Sequence, residues 1–204
     1  MSALGERYKL VVLGNARVGK TSLIIRLTAN VFKDACTPTY GVDWFYKDIE
    51  IPDENAKVSL HIWDTGGTEH YSGMQPLYLR GAVIVLLCYD MTNRLSFENL
   101  LYWKDLAANV RSAELYYLVA TKSDQAEHRA VKKQDAERLS VLLGCRAYFE
   151  VSAADGTNVD NLLDKLAQDL KGQIELTKNS LQVGPPTVDV QALTDDPHIK
   201  GCYC

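Results

Sequence analysis

The chain has 204 residues, 47% of them hydrophobic and 24% charged, which suits one soluble globular domain followed by a tail. A formal net charge of −4 excludes the broad basic surface that general nucleic-acid binding needs. Five scattered cysteines, at positions 36, 88, 145, 202 and 204, make no disulfide framework and indicate a reducing compartment.

The opening MSALGERYKLVVLG has no basic segment followed by a long apolar core, so no secretory signal is expected. Its second half, YKLVVLG (8–14), reads as a strand, and a helical pattern follows at about 20–29. WFYKDIEI (44–51) and KVSLHIW (57–63) flank the turn PDENA, with Val58, Leu60 and Ile62 alternating on one face. That pattern predicts a hairpin at a sheet edge. AVIVLLCY (82–89) is apolar throughout, as a strand covered on both faces should be, and is less than half of a membrane span of about 20 residues. A helix over 96–110, the strand LYYLVAT (115–121), a helix over 132–143 and the strand AYFEVS (147–152) come next. The last helical segment, 157–171, has Thr157 as its N-cap and Val159, Leu162, Leu163, Leu166 and Leu170 along one face. After 172 the periodicity stops and prolines appear, so residues 173–204 read as a flexible tail.

Strand–helix alternation of this kind predicts an α/β fold: a doubly wound, mostly parallel sheet with right-handed crossovers and helices on both faces. The hairpin makes it six-stranded with one antiparallel edge strand. Ligands of such sheets sit beyond the carboxyl ends of the strands. The segments after Leu13, Trp63, Ala120 and Val151 therefore surround one crevice.

Four motifs face that crevice. GNARVGKT, from Gly14 through Ala16, Arg17, Val18, Gly19 and Lys20 to Thr21, fits G-x-x-x-x-G-K-[ST] between a strand and a helix that continues with Ser22. Glycine allows the tight turn, and the helix N-terminus favours an anion. Lys20 brings a point charge to the outer phosphates, and the Thr21 hydroxyl suits Mg²⁺. Asp64, at the end of the third strand, can hold the metal directly or through water, and Gly67 can bring an N–H to a terminal phosphate. In TKSD, with Thr121, Lys122 and Asp124, the aspartate can accept from N1–H and N2–H₂ of guanine. Adenine offers neither donor there, and an unpaired carboxylate is costly. The Lys122 stem can cover the base plane. SAA, with Ser152, Ala153 and Ala154, can add a backbone N–H near the guanine O6.

With TYGVDWF (39–45), HIWDTGGTE (61–69), YLRGA (78–82) and CYDMTNRLSFENLLYW (88–103), the chain resembles a small GTPase of the Ras superfamily, in its Rab family, over residues 6–172. The resemblance implies a P-loop small G-domain that binds GTP or GDP with Mg²⁺. It implies that Thr39 contacts the metal and the γ-phosphate, joining Thr21 and Asp64 as ligands, and that Phe32 lies against the guanine. Lys20 and Gly67 would serve hydrolysis, while Trp44, Trp63 and Tyr78 would form an aromatic effector surface. Two loops, about 32–43 and 65–78, would order with GTP. Implied partners are effectors, an exchange factor, a GTPase-activating protein, a GDP-dissociation inhibitor and a Rab escort protein. A monomer is expected, with no nucleic acid.

Four departures stand out. Thr121 replaces the usual Asn, Ala154 the usual Lys, and Ala16 and Arg17 stand where small residues are usual. Thr68 occupies the place of the water-orienting glutamine. An atypical Rab branch, linked to endosomal and autophagic traffic, carries small hydroxylic residues there. The ending GCYC resembles the Rab C-x-C signal, in which Cys202 and Cys204 each receive a geranylgeranyl group. Two chains anchor stably where one does not. Residues 173–204 carry Glu175, Asp189, Asp195 and Asp196 against Lys178 and Lys200, so no polybasic patch assists. The expectation is a slowly hydrolysing Rab-like switch cycling onto the cytoplasmic face of an intracellular membrane. The alternative is a guanine-nucleotide-binding interaction module with negligible hydrolysis. An ATP-using P-loop kinase is disfavoured by Asp124 and by the C-x-C ending.

Overall fold

The computed structural model describes residues 6–33, 37–51, 56–67, 75–110 and 113–182. Its strands are β1 (Arg7–Leu13), β2 (Val42–Ile51), β3 (Ala56–Thr65), β4 (Ile84–Asp90), β5 (Leu115–Thr121) and β6 (Ala147–Glu150). They form one sheet in the order β2-β3-β1-β4-β5-β6. Only β2 pairs antiparallel, against β3; the other neighbours are parallel. The sheet is the one the alternation predicts, including the edge hairpin.

Every residue of β4 and of β5 is buried, which is the state of parallel strands covered on both faces. Val11, Leu13, Val85, Leu87 and Leu118 meet Phe97, Leu100 and Trp103 in the main apolar cluster. The register sets Val12 beside Asp64, Leu13 beside Leu87, Asp90 beside Thr121 and Ala120 beside Glu150. The carboxyl ends of five parallel strands thus make one rim, and the polar motifs emerge from it.

The helices are α1 (Lys20–Ala29), α2 (Gln75–Leu79), α3 (Arg94–Glu98), α4 (Leu100–Ala108), α5 (Lys133–Leu142) and α6 (Val159–Gln182), with a 3₁₀ turn at Ser123–His128. Three differ from expectation. The segment read as one helix over 96–110 starts earlier and divides at Asn99; the Asn93 side chain accepts from the Ser96 N–H and caps α3 at Arg94. The five-residue α2 is too short to show periodicity in sequence. The last helix begins at Val159 rather than at a Thr157 cap, because Asn158 turns left-handed at φ +57°. It continues to Gln182, past residue 172, where the apolar stripe thins to Ile174 and Leu181 and Gln173, Glu175, Leu176 and Lys178 supply helix propensity. The chain divides into two compact units, Met1–Gln168 and Asp169–Cys204.

Candidate functional site

The loop after β1 is shaped by its backbone. Gly14 lies at φ +148°, and a Cβ there would stand 2.1 Å from the Cys88 carbonyl oxygen, so the turn can pass β4 only without a side chain. Arg17 and Gly19 are left-handed, at φ +65° and +95°, and α1 starts at Lys20. The positive end of the helix faces the loop. Lys20 is buried, and its Nζ donates to the carbonyls of Gly14 and Asn15, each at 2.8 Å. Burial holds its pKa below the usual lysine range, while the Asp64 charge opposes that shift.

Beside the loop lies a cavity of about 870 Å³. It is lined by Ala16, Arg17, Gly19, Lys20, Thr21 and Ser22 from the loop and α1, by Phe32, Thr39 and Gly67, and by Thr121, Lys122, Asp124, Ala153 and Ala154 from the segments after β5 and β6. The structure therefore brings nearly the whole expected nucleotide set to one place, in a space of ligand-site size.

Between α1 and β3, Thr21 Oγ1 donates to Asp64 Oδ2 at 2.5 Å. Thr39 Oγ1 stands 3.2 Å from the same oxygen and 3.0 Å from Thr21 Oγ1. Asp64 is fully buried, yet its Oδ1 has no hydrogen-bond partner. Burial pushes this carboxyl up, and the two hydroxyls and Lys20 pull it back. A buried orphan oxygen among hydroxyls suits a hard cation. Among the described residues no three His, Cys, Asp or Glu side chains gather around a metal site. One carboxylate and two hydroxyls would then leave phosphate and water to complete the shell, which is the habit of Mg²⁺.

The two glycines after Asp64 are explained by close approach. A Cβ on Gly66 would stand 2.8 Å from Thr39 O, and one on Gly67 2.3 Å from Ala16 N. Gly66 N–H donates to Gly41 O, and Ala16 N–H donates to Gly67 O, both at 2.9 Å. The Gly67 carbonyl thus ties the end of β3 to the P-loop.

At the end of β5, the Thr121 hydroxyl reaches the carbonyls of Val18 at 2.5 Å and Tyr89 at 2.9 Å. It braces the P-loop against β4 and β5. Lys122 is left-handed at φ +61°, and its Nζ is 2.5 Å from Asp90 Oδ2. Asp90 is buried, and its Oδ1 accepts from the N–H and hydroxyl of Thr92 at 2.8 and 2.7 Å. Ser152 Oγ donates to Asp124 Oδ1 at 2.7 Å. On the outer side, Arg26 of α1 donates to the carbonyls of Ala153 and Ala154.

Sequence reading missed Asp90, although it ends a strand as Asp64 nearly does. It also missed Arg26, which looks like an ordinary last-turn cation of α1. Asn15 is a third: its Oδ1 accepts the indole N–H of Trp103 at 2.7 Å, and Trp103 is 1% exposed. Nothing in the sequence links those two.

The expected aromatic surface is also assembled. Trp44 is 59% exposed and meets Trp63 edge-on at 5.9 Å, and Trp63 lies 6.3 Å from Tyr78. Lys9 Nζ sits 3.5 Å over the Trp63 ring, and Trp44, Tyr46 and His61 share a shallow groove. Thr68, Cys202 and Cys204 lie outside the described residues.

The Ras family model matches residues 9–172. Among curated proteins, Ras-related protein Rab-13 of Bos taurus is 35% identical, over 93% of this chain and 92% of its own. Ras-related protein Rab-39A of Mus musculus is 34% identical, over 97% of each. Ras-related protein Rab-12 of Homo sapiens is 32% identical, over 96% of this chain and 83% of its own.

Proposed function

This chain belongs to the Ras family and is a Rab small GTPase, a GTP-binding switch of membrane trafficking, and from that premise we propose how its own residues work the switch. The phosphates lie on the P-loop amides and Lys20, which turns from the carbonyls of Gly14 and Asn15 toward them. Thr21, Thr39 and Asp64 hold Mg²⁺. When bound, the metal neutralises charge on the β- and γ-phosphates. Thr39 is carried by the segment before β2, so it links the γ-phosphate to the position of that segment; after hydrolysis the link is lost and the segment is released. Asp124 reads N1–H and N2–H₂ of guanine, Ala153 offers its N–H to O6, and the Lys122 stem and Phe32 flank the base. The convergence of Thr21 and Thr39 on a buried carboxylate with an orphaned oxygen carries this reading.

Hydrolysis is slow because Thr68 replaces glutamine. A glutamine amide can both accept from and donate toward an in-line water, whereas threonine has one hydroxyl on a short, β-branched stem. An activating protein can supply the missing group in trans. Cys202 and Cys204 carry geranylgeranyl groups. They hold the chain on the cytoplasmic face of an endosomal or autophagic membrane, where Trp44, Trp63 and Tyr78 meet effectors. Exchange factor, GDP-dissociation inhibitor and Rab escort protein complete the cycle. Thr68 also favours a second reading, an interaction module that hardly hydrolyses GTP. Single-turnover hydrolysis without partners separates the two. Thr68→Gln should be faster than wild type if the rest of the site is competent; no gain makes the interaction module the better reading.

A further inference from the structure

The guanine-reading carboxylate is exposed, and an exposed aspartate has no fixed direction of its own. Its fixed neighbour is Ser152, which is fully buried and donates from Oγ to Asp124 Oδ1 at 2.7 Å. Ser152 Oγ also accepts two N–H groups, from Ala154 at 3.1 Å and from Asp155 at 3.2 Å. A hydroxyl has two acceptor sites and one proton. With both acceptor sites filled, its proton has one direction left, toward Asp124.

Those two N–H groups are themselves aimed. In a trans peptide the C=O and the N–H of one plane point in opposite directions, and the chain has no cis peptide among its described residues. The planes that carry the N–H groups of Ala154 and Asp155 carry the carbonyls of Ala153 and Ala154. Both carbonyls are held by one side chain: Arg26 Nε donates to Ala153 O and Arg26 Nη2 to Ala154 O, each at 2.7 Å. Arg26 Nη1 is fixed in turn by Asn30, 3.1 Å from its carbonyl and 3.2 Å from Oδ1. The rigid, planar guanidinium fork suits two successive carbonyls in a way an ammonium does not.

We propose that Arg26 is a positioning residue for base selection. From α1, whose first turn carries Lys20 and Thr21, it orients two peptide planes, through them the Ser152 hydroxyl, and through that the carboxylate of Asp124. The phosphate helix and the base reader are thereby set by one cation. The ligand class is a purine nucleotide with a donor at C2, so the inference rests on the guanine reading given above.

The test uses the full chain and two probes, GDP and inosine diphosphate, which lacks the 2-amino group. Arg26→Ala should bind GDP about tenfold or more weakly, the scale of a lost charge-assisted hydrogen bond, and its preference for GDP over inosine diphosphate should fall toward one. Should Arg26→Ala not fold, Arg26→Lys keeps the charge without the fork, and its preference should fall as well. Ser152→Ala, which cuts the last link, should do the same. A variant that binds GDP more weakly but keeps the wild-type preference overturns the inference and leaves Arg26 a brace of the fold. A wild type with no preference for GDP over inosine diphosphate overturns the guanine reading itself.

Discussion

Asp64 stands near the end of β3 and Asp124 in the 3₁₀ turn after β5, yet one is fully buried and the other exposed. Burial leaves Asp64 with an orphan oxygen that calls for a cation, whereas Asp124 has a hydroxyl on one oxygen and a second oxygen for a ligand. The difference sets what each can be asked to do. Asn at position 124 still offers Oδ1 to Ser152 but presents an amide donor to the base. Asp124→Asn should therefore lose about ten- to a hundredfold in GTP affinity and gain affinity for xanthosine triphosphate, whose C2 oxygen accepts. Competition binding with the two nucleotides decides it; GTP binding at the wild-type level would remove Asp124 from the site.

At the scale of elements, the rim where strands end and loops begin does the positioning. Gly67 leaves β3 so close to the P-loop that a methyl group would stand 2.3 Å from Ala16 N. Gly67→Ala must part the two segments at the place proposed for the γ-phosphate. It should leave GDP binding close to wild type and lower GTP affinity by about tenfold, a lost charge-assisted hydrogen bond. An unchanged ratio of GTP to GDP affinity would show that the contact plays no part. The strands and the P-loop were legible because local rules make them: apolar runs for β4 and β5, motif spacing for Gly14 to Thr21. Asp64, Asp124 and the SAA loop followed from the ends of those strands. Arg26 was not legible, because its partner carbonyl lies 127 residues away and a carbonyl leaves no trace in sequence. Asn15 and Trp103, 88 residues apart, escaped for the same reason. The extension of α6 to Gln182 was not legible, because beyond Gly172 only Ile174 and Leu181 keep helical spacing from Leu170, and propensity alone is a weak signal.

At the scale of the whole molecule, no described helix is long and apolar enough to cross a membrane. The proposed attachment rests on the two tail cysteines, in a stretch with more acid than base. Changing Cys202 and Cys204 together to Ser should leave the chain in the cytosolic fraction, and changing either alone should give weak, reversible attachment. Cell fractionation reads both, and a double variant retained on membranes would refute the lipid reading. The three tryptophans are spread by depth across this molecule. Trp44 is 59% exposed on the outer strand, Trp63 stands between, and Trp103 is 1% exposed with its indole bonded to Asn15 of the P-loop. Ultraviolet emission from Trp103 should therefore be shielded from aqueous quenchers and tuned by the loop proposed to receive phosphate, while emission from Trp44 should answer to whatever covers β2. The chain thus carries an optical gauge of its own at both of the faces proposed to work, readable without a dye.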